Sequence, residues 1–419
     1  TWPSSAKPPP SGRPRAGRRR GRLGMKYENQ MVSLLQISDA LSDGLHKAPK
    51  FYPDGEYLFV NATNLENGRI VEKGKEKRTT YEEFRKYGVP LTKRTILYSI
   101  DGTIGNIARY RGEKCVIGKG ACFITVCADV DVDYIYYQLQ SPHFKNYIDL
   151  MSTGSTIKHI SLKTMRNYTF YLPKLDLQRK ISHILSLLDS KIELNQKINL
   201  NLEQQAQSLF QELFIDNACP EWQTGTICDL GTVIGGSTPS KAKSEYYTDH
   251  GIAWITPKDL SVNKSKFITH GETDITELGL KNSSATIMPE GTVLFSSRAP
   301  IGYIAIAAGE VTTNQGFKSV VPKQEIGTAY VYYFLKNNLS IIEGMASGST
   351  FKEVSGGTMK SVPAVIPDAK TLAEFNAFCI PVFTQQQLLE EQNRSLIALR
   401  DSMLPELMAG KIDVSTVQA

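Results

Sequence analysis

Asp54 with Glu56, and Asp368 with Lys370 in the run PDAK, are the nearest this sequence comes to the paired carboxylates and lysine with which a nuclease holds a metal and activates water. Both matches are short, and Asp368 has no second acid beside it, so no nuclease centre is expected. Other catalytic sets are missing too. The six cysteines, at 115, 122, 127, 219, 228 and 379, include no CxxC pair, and the six histidines include no HxxxH or HExxH spacing. No metal site is expected, and the thiols read as ordinary residues of a reducing, cytoplasmic compartment. There is no GxxxxGK[ST] phosphate loop, no Asn-Pro-Pro-aromatic run and no Gly-x-Ser-x-Gly elbow. Two glycine clusters, around Gly118 and Gly120 and around Gly235 and Gly236, lie between β-prone runs and read as turns. The sequence offers binding surfaces and no cofactor site of its own.

Those surfaces must be carried by elements that occur twice. MSTGSTIK from Met151 and MASGSTFK from Met345 share Met, Gly-Ser-Thr and Lys at an offset of 194. The same offset carries Pro173 onto Pro367, Asn199 onto Asn393, Leu202 onto Leu396, and LFQELF from Leu209 onto MLPELM from Met403. Upstream the register drifts, as loop insertions would cause. DGTIGNIA matches RAPIGYIA at 197, and FVNATNL ending at Leu65 matches WITPKDL ending at Leu260 at 195. A period this long is a duplicated domain and not a solenoid repeat.

The first two-thirds of each copy predicts a compact α+β domain. Tyr57–Val60, Ile96–Ile100, Cys115–Ile117 and Phe123–Val126 read as strands, and Val132–Leu139 and Ala329–Leu335 as helices whose aromatics pack in the core. The end of each copy differs in kind. From Leu177 to Phe214 there is neither Pro nor Gly, and Ile181, Leu185, Leu188, Ile192, Asn195, Asn199, Leu202, Ala206, Leu209 and Leu213 form a heptad seam. Helical throughout, that stretch would span roughly 57 Å. Its expected partner is the stripe Phe375, Phe378, Val382, Leu389, Leu396, Leu399 and Met403, with Gln385 and Gln392 between; Pro381 and Pro405 are expected to kink or fray that second helix.

Charge is less informative than the net +6 suggests. Residues 1–24 hold seven Lys and Arg and no acid, so the rest of the chain is close to neutral. That segment reads as a basic, disordered tail before Met25, either an arm that tracks phosphates or a non-native extension. The predicted organisation is therefore the tail 1–24, a domain over 25–175, a helical spacer over 176–216, a second domain over 217–368, and a helical segment over 369–419. No apolar run reaches the length of a membrane span.

The duplication, the segments STGSTIKHIS and ASGSTFKEVS, the rod opening LPKLDLQRKISHIL and continuing KIELNQKINLNLEQQAQSLFQELF, and the stretch LRDSMLPELMAGKIDVS together resemble the specificity subunits of type I restriction-modification systems. The resemblance covers about Val32 to Ser415. It implies two target-recognition domains separated by an antiparallel coiled-coil spacer, each reading half of a split, asymmetric double-stranded DNA site. It implies two methyltransferase subunits that methylate adenine N6 with S-adenosylmethionine, and restriction subunits that translocate DNA with ATP and Mg, the chemistry residing in those partners. A non-catalytic scaffold that binds only other proteins is the alternative.

On that implication, DNA contacts in the first copy are expected from Lys73, Lys75, Lys77, Arg78, Lys93, Arg94, Arg109, Arg111, Lys158 and His159. In the second copy they are expected from Lys258, Lys264, Lys266, Arg298, Asn314, Gln315, Lys318 and Lys352. Arg, Asn and Gln among them suit paired hydrogen bonds to guanine or adenine. The domain over 221–367 has a net charge of −1, so its basic surface has to be local.

Overall fold

The short β-branched and aromatic runs do become strands, and the two Pro-poor stretches become long helices. The protein is described here by a computed structural model covering residues 29–152, 158–348 and 352–417. The basic tail lies outside the described residues, as do 153–157 and 349–351 in the two Gly-Ser-Thr segments. The chain divides into two compact units, one made of residues up to Leu188 plus those from Arg400 onward, the other of Asp189–Leu399. Each unit therefore holds one end of each long helix. No described helix is long and apolar enough to cross a membrane.

In the first unit an antiparallel sheet runs in the order Ser38–Asp43, Ala121–Val126, Thr95–Ser99, Ile107–Arg109. Its central strands are buried along their whole length, which explains why they read as continuous apolar runs without alternation. Tyr57–Val60 pairs in parallel with Cys115–Ile117 beside it. One core joins Tyr98, Tyr134, Phe144 and Tyr168 to Ile181 and Leu185 of the first long helix and Leu404 and Leu407 of the second.

The second unit repeats the scheme. Gly231–Gly235, Lys318–Pro322, Val293–Ser297 and Ile301–Ala307 stand in the same order, with Phe267–Ile268 added at the edge, and Trp254–Ile255 pairs in parallel with Thr312–Thr313. Helix caps repeat as well. Ser161 Oγ accepts from Thr164 N, and Ser355 Oγ accepts from Thr358 N, both at 3.0 Å. Such hydroxyl caps satisfy a donor that a helix start would otherwise leave unpaired. The aromatics of the helices Val132–Gln138 and Thr328–Asn337 are buried as expected.

The long helices span Leu175–Gln211, closed by a π-helical turn at Glu212–Asp216, and Ala369–Met408. Two expectations about the second helix need correction. It is continuous through Pro381 and Pro405; Ala377 and Pro381 are both exposed, so the carbonyl that loses its donor at Pro381 lies on the solvent side. Its seam also runs one residue later at alternate positions. Leu372, Phe375, Cys379, Val382, Gln386, Leu389 and Asn393 are buried, whereas Gln385 is exposed and Leu399 is 46% exposed. On the first helix the buried stripe likewise turns to Ala206, Phe210 and Phe214, leaving Leu202 and Leu209 half-buried. The physical reason is that these helices face a domain as well as each other: Phe210 and Phe214 lie 5.8 and 4.8 Å from the Tyr330 ring and 5.9 and 5.1 Å from Phe375. Leu185, Ile192, Val382 and Leu389 are buried where the heptad places them. Leu188, Leu396 and Met403 are half-buried.

A polar cluster fixes the second unit's sheet to its helices. Buried Lys266 donates to Glu203 Oε2 at 2.8 Å, to Gln386 Oε1 at 2.9 Å and to Tyr333 Oη at 3.3 Å, with its ammonium 3.6 Å from the centre of the Phe383 ring. Glu390 accepts the backbone N–H groups of Lys266 and Phe267 at 2.9 and 3.1 Å. Burial opposes the charge on Glu203, but Lys266 and the hydrogen bonds from Lys266 and Lys336 more than reverse this and hold the carboxyl at about 2. Burial lowers Lys266 to about 8, only partly offset by Glu203. A depressed carboxyl contributes stability above its ordinary value of 4.5 and loses it as pH falls toward 2. Glu203→Gln, which strands the Lys266 charge, should destabilise the second unit by about 3–5 kcal/mol at pH 7. Its deficit relative to the unsubstituted protein should shrink between pH 4.5 and pH 3. Urea midpoints at pH 7 and pH 3 measure both, and equal midpoints at pH 7 would refute this role for the pair.

Candidate nucleic-acid interface

Each unit builds the same small platform where the parallel strand pair ends. The turn Gly118–Gly120 follows Cys115–Ile117, and Asn314–Gly316 follows Thr312–Thr313; Gly118 N donates to Val60 O at 2.8 Å and Asn314 N to Ile255 O at 3.0 Å. Next to the turn lies the loop after the central strand. Ile100 N donates to Gly120 O at 3.0 Å, and Ser297 N to Gly316 O at 2.7 Å. The loop folds around one serine. Ser99 Oγ donates to Thr103 O and accepts from Asn106 N, while Ser296 Oγ donates to Pro300 O and accepts from Tyr303 N. Equivalent positions have left-handed backbone, Gly102 with Ala299 and Gly105 with Gly302, so the chain reverses at the same places in both. A third segment returns alongside: Ile160 N bonds Ile100 O and Val354 N bonds Ser297 O, each at 2.9 Å. A helix start completes the platform, with reciprocal capping between Asn61 and Asn64 and between Thr256 and Asp259.

In the second unit this platform borders a groove of about 500 Å³ that collects four of the expected contact residues, Lys258, Arg298, Asn314 and Gln315. Lys258 pairs with Glu272 at 2.5 Å and Arg298 with Glu353 at 3.6 Å. Asn314 Oδ1 accepts from Gly316 N at 2.8 Å, and Gln315 Oε1 accepts from Thr238 Oγ1. Lys318, 3.7 Å from the same Glu353, sits beneath, where burial lowers its pKa. Lys352 is exposed next to Glu353 in sequence. Thr238 and Lys241 also line the groove and were not anticipated.

The first unit places His159 on Asp101 and joins Lys158 O to Gly102 N at 3.1 Å. Asp101 and Lys119 hold the positions of Arg298 and Gln315. Neither was anticipated, although the repeat register in the sequence would have found both by carrying the second copy's candidates onto the first. Lys73, Lys75, Lys77 and Arg78 cluster elsewhere, with Lys73 on Glu66 at 2.9 Å, Arg78 on Glu72, and Lys77 4.8 Å from the centre of the Phe51 ring. Lys93 and Lys264 are exposed, as is Arg111, whose backbone N–H donates to Glu113.

Three expected contacts are instead internal. Arg94 caps the carbonyls of Val126, Cys127 and Val130. Arg109 pairs with Asp133 at 2.5 Å, its guanidinium carbon 3.4 Å from the centre of the Tyr136 ring, and Lys266 is the buried lysine described above. In each case the donors face partners inside the fold. Among the described residues no group of His, Cys, Asp and Glu is arranged to hold a metal.

A profile of the type I restriction modification DNA specificity domain matches residues 28–204 and again 220–390. The specificity subunit of type I restriction enzyme MjaIX of Methanocaldococcus jannaschii is 43% identical over 160 residues, 38% of this chain and 37% of that protein. The HindI specificity subunit of Haemophilus influenzae is 23% identical over 67% of this chain and 77% of its own length. The chain thus aligns with little more than a third of the first relative and about three-quarters of the second. A crystal structure of the type I restriction-modification S subunit from M. genitalium shares the fold, with a TM-score of 0.56 and 16% identity over 92% of this chain and 97% of that one.

Arg94→Ala should unfold more easily by about 1–3 kcal/mol, since it leaves buried carbonyls without their donor. Lys93→Ala, one residue away and exposed, should stay within about 0.5 kcal/mol. Thermal unfolding of the two variants in parallel checks the assignment, and matched melting temperatures would refute it.

Proposed function

This chain belongs to the type I restriction modification DNA specificity family, and on that premise we propose that it is the non-catalytic subunit that chooses the DNA sequence for a cytoplasmic modification and restriction complex. Each unit reads one half of a split, asymmetric site. One observation carries this reading: a single backbone platform is built twice, and different side chains stand on it in the two copies. Identical platforms with identical side chains would suit a symmetric target; these suit an asymmetric one.

Phosphate contacts hold a protein on the duplex, while base-edge contacts specify sequence. The groove of the second unit, with Arg298, Asn314 and Gln315 at its wall, supplies side chains of the second kind, and Lys241 and Lys258 at its rim supply the first. In the first unit Lys119, Lys158 and His159 occupy the matching surface, and Lys73, Lys75 and Lys77 add cationic reach. The long helices act as the ruler between half-sites and as the docking surface for two methyltransferase subunits. Those subunits would bind S-adenosylmethionine, and restriction subunits joining them would use ATP and Mg. Two modest affinities joined at fixed spacing give a spacing-selective site, which a flexible tether would not.

Two measurements test this. The chain co-expressed with the methyltransferase subunits of its complex should produce N6-methyladenine within one bipartite motif, and omitting the chain should abolish that motif. Methylation that persists unchanged would leave the scaffold alternative standing. Seven residues inserted at matched points of both helices, near Gln196 and Glu390, should lengthen the gap by roughly 10 Å, or about three base pairs, with both half-sites intact. An altered half-site at unchanged spacing would remove the ruler.

A further inference from the structure

The two platforms share the backbone bonds that tie turn, loop and returning segment together, yet they invert charge at the position that opens the loop. Asp101 and Arg298 each begin the loop after the central strand, and each is bridged to a residue of opposite character on the returning segment: Asp101 to His159, Arg298 to Glu353. Both are partly exposed, 31% and 37% of their side chains. The turn beside them changes in step, from Gly118-Lys119-Gly120 to Asn314-Gln315-Gly316.

Hydrogen-bonding capacity then differs between the units. In the second, Glu353 engages one end of a guanidinium that has five N–H donors. Asn314 and Gln315 each already accept a bond on their amide oxygen, from Gly316 N and Thr238 Oγ1, so their NH₂ groups are what they contribute to a ligand. This wall donates. In the first unit Asp101 at the same position is a carboxylate, which has only acceptors to offer. In the major groove guanine presents two acceptors, O6 and N7, whereas cytosine N4 and adenine N6 present donors.

We propose that the position held by Asp101 and Arg298 is specificity-determining, Arg298 selecting a guanine in one half-site and Asp101 selecting an amino-bearing base, cytosine or adenine, in the other. This rests on the DNA-reading function proposed above. It goes further by assigning the target's asymmetry to one pair of equivalent residues, and by naming the base class each reads.

The experiment is methylome sequencing of a plasmid library with randomised half-sites, in cells carrying the full complex with the unsubstituted chain, Arg298→Ala, Arg298→Lys or Asp101→Ala. Arg298→Lys keeps a cation opposite Glu353 and so preserves the local pairing while losing the planar fork. Both Arg298 variants should relax one guanine in one half-site, raising methylation at the other three bases about tenfold or more relative to guanine. Asp101→Ala should relax a cytosine or adenine in the other half-site. The proposal fails if both Arg298 variants co-purify with the methyltransferase and give the unaltered motif. It fails also if the relaxed base is not guanine, or if Arg298 and Asp101 variants act on the same half. Should the unsubstituted complex give no bipartite motif at all, the DNA-reading function falls and this proposal with it, an outcome distinct from an intact motif that ignores residue 298.

Discussion

The candidate interfaces are held by backbone hydrogen bonds. The turn, the loop and the returning segment are tied by N–H and C=O groups, with one buried-side serine closing the loop in each unit. Any residue can supply a peptide group, so the platform survives almost free substitution of the side chains upon it, provided the left-handed positions are kept. The second unit even accommodates Ala299 where the first has Gly102. The stability of the platform and the chemistry of its surface thereby rest on different atoms, and each can change without the other.

What the platform leaves variable, the helices hold fixed. Asn195, fully buried, donates to Gln392 and Asn393 on the second helix at 2.7 and 2.9 Å, and its own Oδ1 has no partner among the described residues. A buried polar layer of this kind weakens association but penalises a slipped register, since sliding would strand more polar groups. The Lys266 cluster works likewise one layer out: it replaces a cheap apolar contact with one that is satisfied in a single docking of sheet on helix. Both favour a defined geometry over the strongest apolar association.

Much of this was legible in the sequence because repetition is a signal independent of propensity. The 194-residue register located the helices, the Gly-Ser-Thr segments and the central strands, and its drift to 197 marked where loops differ. The seam was legible only in part. Phe375, Val382 and Leu389 followed the heptad, but Cys379 and Gln386 displaced Phe378 and Gln385 because the helix buries itself against a domain as well as a helix, and a linear pattern does not say from which side the second neighbour comes. Side-chain fate was least legible. Arg94 and Lys93 are adjacent basic residues, one capping three carbonyls and the other exposed; that difference depends on strands thirty residues away.

The first unit's core includes Leu404, Leu407 and Val414, and Lys180 Nζ donates to Ser415 O at 2.8 Å. Residues far apart in sequence, on the two long helices, are thus needed for one hydrophobic interior. On the ribosome the first domain emerges well ahead of Leu404–Val414 and stays unsealed until that later segment arrives. A nascent chain still lacking the segment displays an incomplete apolar core.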